Sequence, residues 1–251
     1  MPAEKHYPRA PIKEALIDLR VKHADGSNLD SMKAFGSVIE KEYPYAATRG
    51  MVQAKISGVI PGPQPNFSSS QTVLGYIYHS TDRLQAVQGR LDGFTFSRFF
   101  PYQDWASFRA EAQRLWDIYV KTTEAKIVER VAVRYLNVLD LPAVEGTVRF
   151  EDYIQTLPNS GIEGDQELEQ FLVRLVLPQS DLNGKLVLTE TLLPEQLPNR
   201  VSLLIDIDLF RESSSFSVND AEIWNTLDKF RLRKNEYFEA AITDKAREMF
   251  R

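Results

Sequence analysis

The chain contains no cysteine, which excludes disulfides, thiolate metal sites and a cysteine nucleophile. Long apolar runs are missing too. Unbroken ones reach only a few residues, as at 203–205, against the ~20 that a membrane-spanning helix needs. The first residues, Met-Pro-Ala-Glu-Lys-His-Tyr-Pro, lack the apolar segment of a secretory signal. These absences set the expectation of a cytoplasmic protein with no membrane association. Histidine is scarce: His6, His23 and His79 are the whole set, and no two stand at metal-ligand spacing. No Gly-x-Ser-x-Gly elbow is present. The one Gly-Lys pair, Gly184-Lys185, lacks the preceding glycine of a phosphate loop. A formal charge of −5 gives no global basic footprint for nucleic acid and leaves room only for a local patch.

What is present describes a folded α+β chain. Its 251 residues allow one large core or two fused half-domains, and 43% apolar with 26% charged residues is ordinary for such a protein. Residues 14–21 alternate, with Ala15, Ile17, Leu19 and Val21 on one side and Leu16, Asp18 and Arg20 on the other, which is a half-buried strand. Leu29, Met32, Phe35 and Ile39 recur at helical spacing and predict a helix over 29–42. Strands follow at 51–60, 72–79, 83–88 and 93–99, with 61–70, rich in proline and serine, as an exposed loop. A long helix spans about 105–126. A second series then opens with a strand at 130–140, a short helix near 150–157 and an acidic loop at 158–168. Strands at 171–177 and 185–191 flank the hairpin signal Asn183-Gly184, and a last strand runs over 201–210. Asp220 is placed to cap a helix over 221–235, and Thr243 or Asp244 to start a closing turn.

The element order therefore repeats. Residues 1–126 and 127–251 form two similar units, and each ends in a long helix with tryptophan near its start, Trp105 and Trp224. The expected fold is a wide antiparallel sheet backed by long helices, built from two pseudo-repeated β-α-β-β-β-α units packed as one compact domain. The alternative is a single helix-grip fold, in which one curved sheet wraps a long C-terminal helix.

Three segments carry a resemblance: Tyr7-Pro-Arg-Ala-Pro-Ile-Lys-Glu-Ala-Leu-Ile-Asp18, Arg130-Val-Ala-Val-Arg-Tyr-Leu-Asn137, and Asn235-Glu-Tyr-Phe-Glu-Ala-Ala-Ile-Thr243 with the residues on to Phe250. Placed at the start, middle and end, they resemble the sporadically distributed bacterial family of uncharacterised proteins of about this length. The resemblance implies a bacterial protein of patchy distribution, as accessory and defence genes have. It identifies no catalytic residues.

Candidate chemistry rests on a few side chains. Asp206 and Asp208 share one face of their strand, ~7 Å apart, and could hold a divalent cation such as Mg²⁺ with a phosphate substrate. Against that stands a solvated sheet face with cross-strand ion pairs. Arg134 and Asn137 lie on the strand that opens the second unit. An arginine there needs an anionic partner: a ligand, a partner's acid, or an internal acid such as Glu14 or Asp18. Aromatic residues from Tyr76 to Trp105, interleaved with Arg83, Arg90 and Arg98, suit either base stacking or a core face. Arg231-Leu-Arg-Lys-Asn235 is the one compact basic run, fitted to phosphates or to a helix C-terminus. The leading expectation is a non-enzymatic binding module that holds a protein partner. Alternatives are a nucleic-acid or nucleotide-ligand binder and a metal-dependent phosphoryl hydrolase. Only the last calls for a cofactor, and a homo-oligomer is allowed by all of them.

Overall fold

The computed structural model describes residues 7–23, 28–57, 66–143, 147–157, 169–194, 198–212 and 215–251. The first strand, β1 (Ile12–His23), alternates as its sequence predicts, with Ala15, Ile17 and Leu19 fully buried. Helix α1 (Leu29–Ile39) starts at Asn28, whose side chain accepts from the backbone N–H groups of Asp30 and Ser31, and it buries Met32, Phe35 and Ile39. A meander follows: β2 (Tyr45–Ser57), β3 (Asn66–His79), β4 (Gln85–Arg90) and β5 (Gly93–Phe99). Asp104 then caps α2 (Trp105–Thr123), which stops at Glu124 in the left-handed conformation, φ 53°.

The second half opens with β6 (Ala125–Pro142). Its meander is β7 (Leu172–Gln179), β8 (Gly184–Leu192) and β9 (Arg200–Arg211). The short β10 (Phe216–Ser217) pairs with β6. Asp220 caps α3 (Ala221–Ala241), and Thr243 caps α4 (Asp244–Glu248).

All ten strands belong to one open antiparallel sheet of order β2-β3-β4-β5-β1-β6-β9-β8-β7, with β10 on β6. The order reads alike from either side of the β1·β6 seam. In each half the opening strand lies at the centre, the last meander strand lies beside it, and the meander runs outward. The halves differ: the first has the additional strand β2 and α1, in whose place the second has, among the described residues, the 3₁₀ turn Phe150–Asp152, and the second has in addition β10 and α4.

The helices cover one face. Helix α1 packs on β3 and β4, α2 on β5 and β6, and α3 on β6 and β9. Under them lies a register row of fully buried apolar side chains: Val87, Phe96, Ile17, Val133, Leu209 and Leu186. Phe94 packs edge-on to Trp116, and Phe96 stacks on Phe108, so these aromatics are core.

Some sequence expectations need correction. Residues 66–70, expected in an irregular loop, are the start of β3 and pair with β2. Backbone pairing satisfies that serine-rich stretch without any apolar alternation; residues 61–65 lie outside the described set. Strand β2 starts at Tyr45, six residues before the expected 51. The helix expected at 150–157 is only the 3₁₀ turn, after which Ile154 bridges to Ile242. Leu157 precedes Pro158, which disfavours helix at that point. The expected loop at 158–168 also lies outside the described residues. At the β7–β8 hairpin a 3₁₀ turn, Ser180–Leu182, leads to Asn183 at φ 50°, the positive φ for which the Asn-Gly pair is suited.

A charged array on the open face of the sheet

Opposite the helices, the alternate residues of the same strands bring charges together. Asp18 of β1 is at the centre and is buried. Its Oδ1 accepts from Arg20 Nε at 3.0 Å and Arg130 Nη1 at 2.9 Å, and its Oδ2 from Arg90 Nη2 at 2.9 Å and Thr95 Oγ1 at 2.8 Å. Burial alone pushes this carboxyl up. The charges of Arg90 and Arg20, with hydrogen bonds from Arg90 and Thr95, outweigh burial and hold it below the usual carboxylate range. Arg20 and Arg130 stand directly opposite each other in the β1·β6 register, and their shared acceptor Asp18 offsets that like-charge pairing.

The array extends both ways from Asp18. Arg20 and Arg90 both bond Asp92 on the β4–β5 turn, Arg90 at 2.9 Å. Arg130 reaches Asp208 of β9 at 3.3 Å and lies over the Phe210 ring at 4.6 Å. Arg134 holds Asp206 in a bidentate pair at 2.8 and 2.5 Å. On the far side, Arg49 of β2 bonds Gln88. Arg90 is only 3% exposed at its side chain, whereas Arg134 is 43% exposed. The floor of the array is thus dry and its rim is wet. Burial raises the Asp208 carboxyl; the attraction of Arg130 and Arg134 opposes this, while Asp206 and Asp18 add to it.

Asp206 and Asp208 share this face as the alternation predicts. Each already accepts from a guanidinium, so a cation placed between them would sit against Arg130 and Arg134. That donor set does not fit a Mg²⁺ site, and among the described residues no three carboxylate or histidine groups are placed to hold a metal. Arg134 hydrogen-bonds Asp206 of β9 rather than Glu14 or Asp18; its directly opposite residue on β1 is Leu16, and Glu14 adds only a weaker attraction.

Other sequence candidates lie elsewhere. Asn137 is buried on the helix side and donates to Ile205 O at 3.0 Å, so it shares no site with Arg134. Arg98 closes the Phe94–Phe96 row and donates to Pro101 O at 3.4 Å. Arg83 lies over the Tyr45 ring at 4.2 Å. Arg83, Arg90 and Arg98 therefore present no common surface. The basic run does not end its helix, since α3 continues to Ala241; Arg233 pairs with Asp181 at 2.5 Å and Glu236 at 2.9 Å.

Two ionisable groups are buried against expectation: Lys234, which the basic run places on a surface for phosphates or a helix C-terminus, and Glu190, which was not among the sequence candidates. Lys234 lies inside α3 with its Nζ 3.9 Å from the Tyr135 ring centre, and Tyr135 meets the Tyr102 hydroxyl at 3.2 Å. Burial, with a push from Arg231 against the pull of Glu239, brings Lys234 down to about 7. The signal was present: Leu227, Phe230, Lys234, Phe238 and Ala241 are the buried stripe of the helix. Glu190 of β8 is fully buried and takes a hydrogen bond from Thr156, and burial raises its carboxyl. It continues the inward alternation of Leu186 and Leu188.

Fold and site together define an α+β protein with one open antiparallel sheet, a helical layer on one face and a charged array on the other. Among the described residues no helix is long and apolar enough to cross a membrane. The chain matches no family model, no curated protein and no solved structure.

Proposed function

We propose that the chain is a non-enzymatic interaction module and that the open face of its sheet receives a protein partner. The observation behind this reading is the array itself. Its interior charges are satisfied within the fold, and its rim, with Arg134, Arg20 and Asp92, faces solvent. Such a surface is prearranged, because the arginines are already held in place by carboxylates and a partner need not order them. Guanidinium and carboxylate groups alternate in nearly equal number across β1, β6 and β9, which suits the mixed charges of a protein surface better than a polyanion. The nucleic-acid alternative loses Arg90, its central contact, to the buried pair with Asp18.

The reading also takes the chain to be a cytoplasmic bacterial protein of the sporadically distributed family that its three segments resemble, serving an accessory or defence system. Affinity capture from the native host tests it. Wild type should retain one protein in defined stoichiometry; Arg134→Gln should lose it at least tenfold, and Arg134→Lys should restore part of it, with circular dichroism confirming that each variant is folded. Equal capture by Arg134→Gln, or co-elution of nucleic acid with a steep salt dependence, would overturn the proposal.

A further inference from the structure

A second surface lies at the edge of the sheet, away from the array. Among the described residues β7 pairs with β8 alone, and none of them pairs with its outer row of backbone N–H and C=O groups. Proteins that stay monomeric blunt such an edge with charges, bulges or proline. Strand β7 has little of that. Its sequence is Leu-Val-Arg-Leu-Val-Leu-Pro-Gln, Arg174 is its one charge, and its proline comes next to last. Leu172 is 69%, Leu175 39% and Val176 49% exposed, and they project from both faces of the strand. The opposite edge is different: β2 carries a register shift at Arg49/Gly50, and Arg49 bonds inward to Gln88.

We propose that β7 pairs with β7 of a second copy of this chain, antiparallel and centred on Leu175. An open edge is completed by another strand, and this strand is complementary to itself. With Leu175 opposite Leu175, Val173 faces Leu177, Arg174 faces Val176 and Leu172 faces Pro178. No cross-strand pair sets charge against charge, whereas a centre at Arg174 would oppose two arginines. In the Leu175 register, helix-side residues meet helix-side residues. The two-fold axis then runs perpendicular to the sheet, both helical layers fall on one side, and both charged arrays on the other. The pairing leaves each array exposed, so it is independent of the partner proposed for that face.

The absence of cysteine makes the test direct. Sedimentation equilibrium of the full chain should give twice the monomer mass of 28.7 kDa. Leu175→Cys should form a disulfide-linked dimer on mild oxidation, because residue 175 meets its own copy. Val173→Cys should not, since its copy lies four residues away, ~13 Å along the strand. Val176→Lys, at an exposed position, should shift the mass to the monomer with an unchanged circular dichroism spectrum. A wild type that stays monomeric at high micromolar concentration would overturn the proposal. So would a dimer that Val176→Lys leaves intact, or one in which Val173→Cys crosslinks as fast as Leu175→Cys.

Discussion

Lys234 is a cation on the helix stripe where α3 otherwise carries leucine, phenylalanine and alanine. Its folded value near 7 lies below the ordinary 10.5 of a lysine, with burial as the main cause. Between those values the unfolded chain binds a proton that the folded chain does not, so stability must rise with pH across that window and level off below it. At ~1.4 kcal/mol per unit the rise is up to roughly 5 kcal/mol. The tyrosines around it do not titrate there, since burial lifts Tyr102 to about 12 and Tyr135 well above the usual range. Urea unfolding from pH 7 to pH 10 should therefore show wild type gaining stability on Lys234→Met, which should be the more stable protein at pH 7. Parallel pH profiles for the two would refute the neutral, buried lysine. Asp18 acts at the other end of the scale. Its lowered carboxyl contributes stability that is present above the ordinary carboxylate range and is lost as pH falls through its folded value, so acid should protonate Asp208, whose carboxyl is raised, before it reaches the centre of the array.

At the scale of elements, packing settles what propensity leaves open. Gly36 in α1 shows this. A Cβ there would sit 2.3 Å from the Tyr78 ring and hydroxyl, and that hydroxyl donates to Met32 O at 2.9 Å. Propensity alone would make Gly36→Ala stabilising by about 1 kcal/mol. Overpacking costs about 1–3 kcal/mol, and the clash is with a buried ring that already has a fixed partner. The variant should lose several degrees of thermal midpoint, read by circular dichroism; a gain would mean that α1 lifts away from β3 freely. The sequence held the faces of β1, the strand β5 and the cap Asp220, with Thr243 as one of two candidates for the last cap, because alternation and capping are local. It did not hold the start of β3 at Asn66, where a serine-rich stretch carries no apolar alternation, or β10, which is two residues long. The array was half legible. Alternation put Asp18 with Arg20, and Asp206 with Asp208, on open faces. Which arginine meets which aspartate depends on β6 lying between β1 and β9, and strand order is not written in any one segment.

For the whole molecule, the β1·β6 seam decides whether the two similar halves are separable. The ladder there runs from Ile12↔Asn137 to His23↔Ala125. Ion pairing crosses it from Asp18 to Arg130 at 2.9 Å. The helical layer crosses it as well. Trp116 Nε1 donates to Val218 O at 3.0 Å and Trp105 Nε1 to Asp228 Oδ1 at 2.7 Å. Arg9 N donates to Phe250 O at 3.1 Å, which ties the two ends of the chain together. Either half alone would expose a long strand edge, apolar helix surface and a broken charged array, with Asp18 deprived of Arg130 and Arg130 of Asp18. Asp18 would keep Arg20, Arg90 and Thr95, and Arg130 would keep Asp208, so the loss falls mainly on the β1·β6 ladder and the apolar surface that the two halves bury against each other. Fragments 1–124 and 125–251, cut at the left-handed Glu124, should each fail to melt cooperatively. Refolded together they should form a one-to-one complex with a single transition, because the seam reassembles from the β1·β6 register, Ile12↔Asn137 to His23↔Ala125. A cooperative melt from fragment 1–124 alone would show instead that the first unit is a domain in its own right and that the seam joins two finished folds.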